Sequence, residues 1–301
     1  MTPNAIVRSR HRTASASCGD GVEAFGEADP MILVMFAAQV ATLGATNYSA
    51  DAPMTVPTGT PSFADEFDGK TIDQRKWRFD TSRNAEGWAN HERQYYAKDR
   101  ADNARIEDGA LVIEAKRETL SKARFPDWGG QAYTAAKLVS RTPYGYGFYE
   151  VRVKLPCGRG SWPAVWLLPS GGTWPDEGEI DIMEMVGWDA GTVHATLHTA
   201  AFNHTKGTQR GAQTRIATAC TAYHRYQLDW RADAITIGVD DRATMRVAND
   251  QPGGKAAWPF TRPYDLILNL AVGGDWGGQK GIDDTAFPQR MAVDYVRYWR
   301  R

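Results

Sequence analysis

The chain has 301 residues, of which 42% are hydrophobic and 24% charged, and this is enough apolar material for one large core. Thirty-five basic and 36 acidic residues leave a net charge of −1, so the composition argues against binding to nucleic acid or to an anionic membrane surface. Eleven tryptophans favour carbohydrate binding, because indole is a flat surface for sugar rings, although tryptophan is by default a core residue.

An apolar run from Met31 to Ala45 stands out near the start of the chain. It is too short to span a bilayer, which takes about 20 apolar residues. It resembles the hydrophobic region of a signal peptide and is followed by the small residues Ser49 and Ala50. Segment 31–50 therefore predicts export to a secreted or periplasmic location. A disordered tail with an apolar segment is the alternative.

The chain divides by composition into an N-terminal extension, 1–58, and one domain, 59–301. Residues 51–60 have the sequence DAPMTVPTGT and are expected to form a linker. From Phe63 onward, short runs rich in β-branched and aromatic residues recur between glycine, proline, Asn and Asp clusters. In FYEVRVKL, one face carries Tyr149, Val151, Val153 and Leu155. With no long helical stripe, the pattern predicts an antiparallel all-β sandwich.

The three cysteines are Cys18, Cys157 and Cys220. None forms a CxxC pair, which argues against a zinc site. Cys18 is expected to lie outside the folded domain. Cys157 and Cys220 either form one disulfide in an oxidising compartment or remain two thiols.

The segment Trp174–Trp188, WPDEGEIDIMEMVGW, carries four acids among apolar residues. Burying a carboxylate is costly, so such a strand calls for a functional explanation. Alternation along a strand places Glu179 and Asp181 on one face and Glu184 on the other. One β-bulge at 182–183 would return Glu184 to the first face, and bulges are common beside active sites.

Paired glutamates on one face suit glycoside hydrolysis. Leaning together, they would bring their carboxyls to about 5–6 Å, the spacing of retaining enzymes, whereas inverting enzymes hold theirs about 6.5–9.5 Å apart. One must be ionised to attack the anomeric carbon and the other protonated, and crowding of carboxylates raises at least one pKa. Asp181, between them, can hydrogen-bond the nucleophile. The alternatives are a solvated acidic edge strand or a calcium cluster.

GEIDIMEMVG resembles the active-site strand of glycoside hydrolase family 16, in its laminarinase-like, endo-β-1,3-glucanase branch, whose pattern is E-x-D-x-x-E with the extra residue in a bulge. Other segments resemble the family in family order and cover nearly all of residues 61–301. They are FADEFDG (63–69), WANHERQYY (88–96), ARIEDGALVIEAKRE (104–118), YGYGFYEVRVKLP (144–156), GSWPAVWLLP (160–169), VHATLHT (193–199), LNLAVGGDWGG (268–278) and VDYVRYW (293–299).

The resemblance implies a β-jelly-roll sandwich of two curved antiparallel sheets, the concanavalin A-like lectin/glucanase fold, with a polysaccharide cleft on the concave face. It makes Glu179 the nucleophile, Glu184 the general acid/base and Asp181 the assisting carboxylate. No cofactor is required for catalysis by this scheme.

Four further residues match the family's substrate-binding positions. Trp162 and Trp166 match cleft tryptophans that stack on sugars, and Asn90 matches an asparagine that hydrogen-bonds sugar on the glycone side. His198 matches a cleft histidine near the acid/base. Trp166 as pure core and His198 as a satisfied strand histidine are the alternatives.

Many family members bind one structural calcium on the convex side. The matching residues are Glu66, Gly109 and Asp294, two of which would act through main-chain carbonyls. An ordinary surface aspartate is the alternative reading of Asp294.

The predicted function is endo-acting, retaining hydrolysis of β-1,3-glucan, with possible action on mixed β-1,3/1,4-glucan, by a monomer whose partner is the polysaccharide. Family enzymes acting on agar or carrageenan often carry extra basic residues to meet sulfate, and no basic patch is seen here. Family-related, non-catalytic β-glucan-binding proteins typically lack the catalytic glutamates, both of which remain in this chain.

Overall fold

A computed structural model describes residues 52–250 and 252–301. The predicted signal segment 31–50 and Cys18 lie outside these residues. Within the described ranges, no helix is long and apolar enough to cross a membrane.

One sheet has ten strands, in the order β15-β14-β13-β8-β17-β5-β6-β3, with β1 paired to β17 and β4 paired to β5. Its pairs are antiparallel apart from the short parallel pair of β3 and β6. The strands are β1 (Phe63–Asp65), β3 (Gln94–Tyr96), β4 (Ala104–Glu107), β5 (Ala110–Arg117), β6 (Tyr133–Ala135), β8 (Gly147–Lys154), β13 (His224–Trp230), β14 (Ala234–Val239), β15 (Arg242–Ala248) and β17 (Gln289–Arg300).

The other sheet has seven strands, in the order β12-β11-β10-β9-β16-β7-β2. They are β2 (Trp77–Phe79), β7 (Lys137–Ser140), β9 (Ser161–Leu168), β10 (Glu179–Glu184), β11 (Thr192–His198), β12 (Arg210–Arg215) and β16 (Asp265–Val272). Helical structure in the described residues is limited to short pieces. They are the four-residue helix α1 (Gly274–Gly277) and 3-10 turns at Ala89–His91, Gly187–Asp189, His204–Lys206, Gly254–Ala256 and Asp284–Ala286.

The core lies between the two sheets. The apolar face predicted for β8 and the residue after it points into this core, and Tyr149, Val151, Val153 and Leu155 are at most 2% exposed. Residues of the facing strands β9, β10 and β16 belong to the same cluster of buried side chains. Two antiparallel sheets packed face to face confirm the predicted all-β jelly-roll sandwich.

The structure differs from the expected linker at residues 51–60. Met54 is 6% exposed and packs against Phe148 and Trp299 of the ten-stranded sheet. Its backbone N–H donates to the carbonyl of Asp241 at 2.8 Å. The folded domain therefore begins before residue 59. A single methionine between prolines has no periodic pattern, so the sequence does not show what it packs against.

Cys157 and Cys220 form a disulfide, with their Cα atoms 5.8 Å apart. Cys157 lies in the connection from β8 to β9, and Cys220 in the connection from β12 to β13. Both connections cross from one sheet to the other, so the disulfide joins two crossovers of the sandwich.

Candidate active site

A β-bulge places the three acids of β10 on one face. Two residues of β10, 182 and 183, lie opposite the single residue Ala195 of β11, and the register with β9 shifts at the same place. Both bulge residues are buried in the core. Glu179, Asp181 and Glu184 consequently line the same cleft, which confirms the predicted bulge.

The cleft has a volume of about 440 Å³ and lies on the seven-stranded sheet. Side chains alternate along β9. Val165 and Leu167 point into the core, whereas the even-numbered residues from Trp162 to Leu168 point toward the cleft. Three of the four predicted substrate-binding residues line it, namely Asn90, Trp162 and Trp166. It is also lined by Asp80, Ser82, Arg83, Trp88, Glu92, Tyr96, Lys137, Trp174, His204 and Asn269.

Trp174 holds the carboxylate of Glu179. Its indole Nε1–H donates to Glu179 Oε2 at 2.8 Å from the loop between β9 and β10. Trp174 is 37% exposed, and among the described residues it is the one large hydrophobic residue that is exposed. Sequence reasoning missed this role, although the position of Trp174 at the start of the acidic segment was a signal for it.

Trp162 holds the carboxylate of Glu184 in the same way. Its Nε1–H donates to Glu184 Oε1 at 2.9 Å, and its ring packs edge-on against Trp276 with centroids 5.3 Å apart. Trp162 is only 8% exposed. The geometry therefore gives Trp162 a positioning role toward Glu184, and its stacking on sugar stays a prediction.

His198 is buried, with 6% of its surface exposed, and is not among the residues that line the cleft. It is the cross-strand partner of Glu179, and its Nε2 is 3.3 Å from Asp181 Oδ2. The histidine opposite Glu184 is His194. The antiparallel pairing of β11 with β10 sets His198 opposite Glu179, and its charge also acts on the Glu184 carboxyl, so its predicted role near the acid/base stays a prediction.

Burial raises the pKa of all three acids. The pKa of Glu179 rises to about 8, through desolvation first and the neighbouring Asp181 second. Desolvation, together with the charge of Glu179, raises the pKa of Glu184 to about 7 against the opposing hydrogen bond from Trp162. The pKa of Asp181 lies well above its usual range for the same first cause. Near neutral pH the trio therefore supplies both carboxylic acid and carboxylate.

The pKa values of the two glutamates do not by themselves assign their roles. The nucleophile must be ionised and the acid protonated, yet burial raises the pKa of both glutamates, to about 8 and about 7. The hydrogen bond from Trp174 favours the charged form of Glu179. The assignment of nucleophile and acid consequently rests on the family pattern and not on these pKa values.

Trp166 is anchored by polar contacts at the cleft wall. Its Nε1–H donates to Asn269 Oδ1 at 2.7 Å, and the Asn269 amide donates to the Tyr96 hydroxyl at 2.9 Å. The ammonium of Lys137 lies 5.2 Å from the Trp166 ring centroid. A half-buried indole that lines the cleft is not pure core, so the structure favours the cleft reading of Trp166.

Glu92 is a further cleft carboxylate that sequence reasoning missed. Its Oε2 accepts a hydrogen bond of 2.8 Å from the Gln94 side chain, and burial raises its pKa. It lies next but one to Asn90, which adopts a left-handed φ of 56°. The resemblance of segment 88–96 to the family predicts a role for Asn90 and none for Glu92.

The predicted calcium residues have other partners. Both carboxylate oxygens of Glu66 accept from the Arg297 guanidinium, at 2.9 and 2.8 Å, and Asp294 accepts from Arg152. A guanidinium repels a cation, so these carboxylates do not fit as ligands while so paired. Main-chain carbonyl oxygens, including that of Gly109, remain as possible calcium ligands. A structural calcium at this place stays a prediction.

Comparison with known proteins agrees with this geometry. The model of the family "Glycosyl hydrolases family 16" matches residues 91–297. A beta-glucanase of Rhodothermus marinus is 43% identical over 270 residues, which is 86% of this chain and 91% of that protein. The crystal structure of SCLam, a non-specific endo-β-1,3(4)-glucanase of family GH16, superposes with a TM-score of 0.80 at 50% identity and covers 84% of this chain and 96% of that one.

The laminarinase structure from Rhodothermus marinus gives a TM-score of 0.74 at 44% identity, over 80% of this chain and 97% of that one. Sequence and structure thus agree over most of the described domain. This chain belongs to glycoside hydrolase family 16.

Proposed function

We propose that this protein is a retaining endo-glucanase that hydrolyses β-1,3-glucan of the laminarin type and also mixed β-1,3/1,4-glucan. The observation that carries the proposal is the bulge of β10, which turns Glu179 and Glu184 into one tryptophan-lined cleft. Relatives support the substrate class. One is named a beta-glucanase, and a variant of SCLam that was co-crystallised with 1,3-β-D-cellotriosyl-glucose presents 1,3-β-D-cellobiosyl-glucose at its active site.

The proposed reaction is a double displacement. Glu179 attacks the anomeric carbon while Glu184 transfers its proton to the departing glycosidic oxygen, which leaves a glycosyl-enzyme ester. Glu184, now ionised, takes a proton from water, and the resulting hydroxyl group displaces Glu179 from the same carbon. Two inversions give net retention. Trp174 and Trp162 keep the two carboxylates oriented throughout.

The charge of the cleft favours neutral glucan over sulfated galactan. Among the described residues, one lysine and one arginine line the cleft, namely Lys137 and Arg83. Lys137 pairs with Asp80 at 3.0 Å, and the Arg83 guanidinium donates to the carbonyl of Gly87. Lys137 is therefore paired with an anion, whereas Arg83 contacts a neutral carbonyl, and this single arginine stands against the five carboxylates Asp80, Glu92, Glu179, Asp181 and Glu184 of the cleft.

Secretion or a periplasmic location is part of the proposal. The disulfide between Cys157 and Cys220 supports it, because disulfides persist in oxidising compartments. A monomeric state stays a prediction.

The test is product analysis after incubation with laminarin, lichenan, agarose and carrageenan side by side. We expect oligosaccharides from laminarin and lichenan, with retained β configuration in the first product. The matched control is Glu179→Gln, which keeps the size of the side chain and removes the nucleophile. Its turnover should fall by about 10⁴-fold or more while laminarin binding persists. Retained turnover in this variant would contradict the assignment, and release of products from agarose alone would contradict the substrate.

A further inference from the structure

Three side chains of types that can ligate a metal ion meet beside the cleft, at the first residues of β10. Glu179 and Asp181 come from β10, and His198 comes from the facing end of β11. One ligand atom from each lies within 4.8 Å of the other two, and Asp181 Oδ2 is 3.3 Å from His198 Nε2. Two carboxylates and an imidazole converge here without a lysine or arginine among them.

Two buried polar atoms of this cluster lack a hydrogen-bond partner among the described residues. They are Asp181 Oδ2 and His198 Nδ1. Asp181 is 2% exposed and His198 is 6% exposed. Buried polar atoms are normally satisfied, whereas Asp181 Oδ2 accepts no hydrogen bond and has a contact of 3.3 Å with His198 Nε2, so a cation held by both residues would give this oxygen a partner.

We propose that Glu179, Asp181 and His198 bind a borderline transition-metal ion, Zn²⁺, and that the bound ion reversibly inhibits the enzyme. Mixed carboxylate and imidazole ligands suit Zn²⁺, which is held by three protein ligands plus one open position in accessible sites. Ca²⁺ and Mg²⁺ prefer oxygen ligands throughout, so the imidazole of His198 favours Zn²⁺ over both.

The site is accessible from the cleft. Glu179 and Asp181 both line it, and His204 stands beside the cluster with its ring centroid 5.1 Å from that of His198. The fourth position of the ion is therefore open to water or to the His204 imidazole. An ion bound to Glu179 occupies the electron pair that attacks the sugar, so ion and glucan exclude each other. This consequence for hydrolysis rests on the proposed function, whereas metal binding does not.

The test is isothermal titration of the full chain with ZnCl₂, with CaCl₂ and MgCl₂ as comparators. We expect one saturable Zn²⁺ site whose affinity falls at least about tenfold in Asp181→Asn and in His198→Gln. The control is His224→Gln, which removes the His224–Asp240 pair of 2.7 Å on the other sheet and should keep the wild-type affinity. Circular dichroism of each variant checks its fold. Unchanged affinity in both cluster variants, or no saturable Zn²⁺ binding to the wild-type protein, would overturn the proposal.

A second readout follows hydrolysis. Zn²⁺ should raise the apparent KM for laminarin without changing kcat, and EDTA should restore the original KM. Inhibition that lowers kcat at saturating laminarin would overturn the exclusion of glucan by the ion. Because calorimetry measures binding directly, it decides the metal site even if the chain hydrolyses a different polysaccharide.

Discussion

At the scale of single residues, the site is organised by two indoles, each bonded to one catalytic carboxylate. Trp174 donates to Glu179 and Trp162 donates to Glu184. The indole N–H is a donor only, so it fixes which carboxylate oxygen faces the wall and leaves the other oxygen to the sugar. It also favours the charged form in a place where burial opposes charge.

Removal of the acid/base should leave a site that azide can use. We expect Glu184→Ala to lower turnover of laminarin by about 10²–10⁴-fold, because no group then protonates the leaving oxygen. On a substrate with a good leaving group, azide should restore turnover by entering the space of the missing side chain. The product, identified by NMR, should be the β-glycosyl azide. An α-azide would show that Glu184 has a different role.

The raised pKa values predict a neutral pH optimum. Below about pH 7 both glutamates take up protons and the nucleophile is lost, and above about pH 8 both ionise and the acid is lost. The profile of kcat/KM on laminarin should be bell-shaped between these values, whichever glutamate holds the shared proton. Glu184→Gln, assayed on an aryl glycoside that needs no acid, should lose the alkaline limb. An optimum near pH 4–5 would contradict the effect of burial.

At the scale of elements, the catalytic strand ends against the disulfide loop. A 3-10 turn begins at Gly187, three residues after Glu184. A Cβ at Gly187 would lie 1.9 Å from the carbonyl oxygen of Gly158 and 2.8 Å from Ser161 Oγ. Only glycine permits this close approach, so β10 is held at its end by packing against the β8–β9 connection.

Gly187→Ala should therefore destabilise the domain and disturb the site together. Forcing a methyl group into packed backbone costs about 1–3 kcal/mol, and each kcal/mol lowers Tm by about 2–4 °C in a domain of this size. We expect a lower Tm by calorimetry and a lower kcat on laminarin. Gly59→Ala is the matched control, because no atom lies within 4 Å of a Cβ there. Equal Tm values for the two variants would argue against the predicted clash.

At the scale of the whole molecule, the sandwich depends on contacts between distant parts of the chain. The disulfide joins Cys157 and Cys220 across 63 residues and links two crossovers between the sheets. Closing a loop of that length restricts the unfolded chain and stabilises the fold by about 4 kcal/mol in the chain-entropy account.

Cys157→Ser combined with Cys220→Ser should lower Tm by about 8–16 °C, because a loss of about 4 kcal/mol lowers Tm by about 2–4 °C per kcal/mol. Thermal unfolding of the double variant and of the wild-type protein measures the shift. Dithiothreitol should lower the Tm of the wild-type protein toward that of the variant and leave the variant unchanged. An unshifted Tm would mean that the disulfide adds nothing to stability.

Local pattern in the sequence was enough to predict the fold class and the catalytic strand. Period-two alternation in 148–155 identified the core face of β8, because strand side chains alternate whatever their partners are. The mismatch in parity between Glu179 and Glu184 predicted the bulge, since three acids on one face required an extra residue. The family motifs extended this to the cleft residues Trp162, Trp166 and Asn90.

Only the tertiary structure decided which distant residues meet. The register of β10 against β11 placed His198 beside Asp181, and no local pattern encodes that register. The burial of Met54 depends on strands that lie far from it in the chain. The hydrogen bond from Trp174 to Glu179 depends on how the β9–β10 loop folds back over the cleft. Alternation is a property of one strand, whereas pairing and packing are set by the free energy of the assembled sandwich.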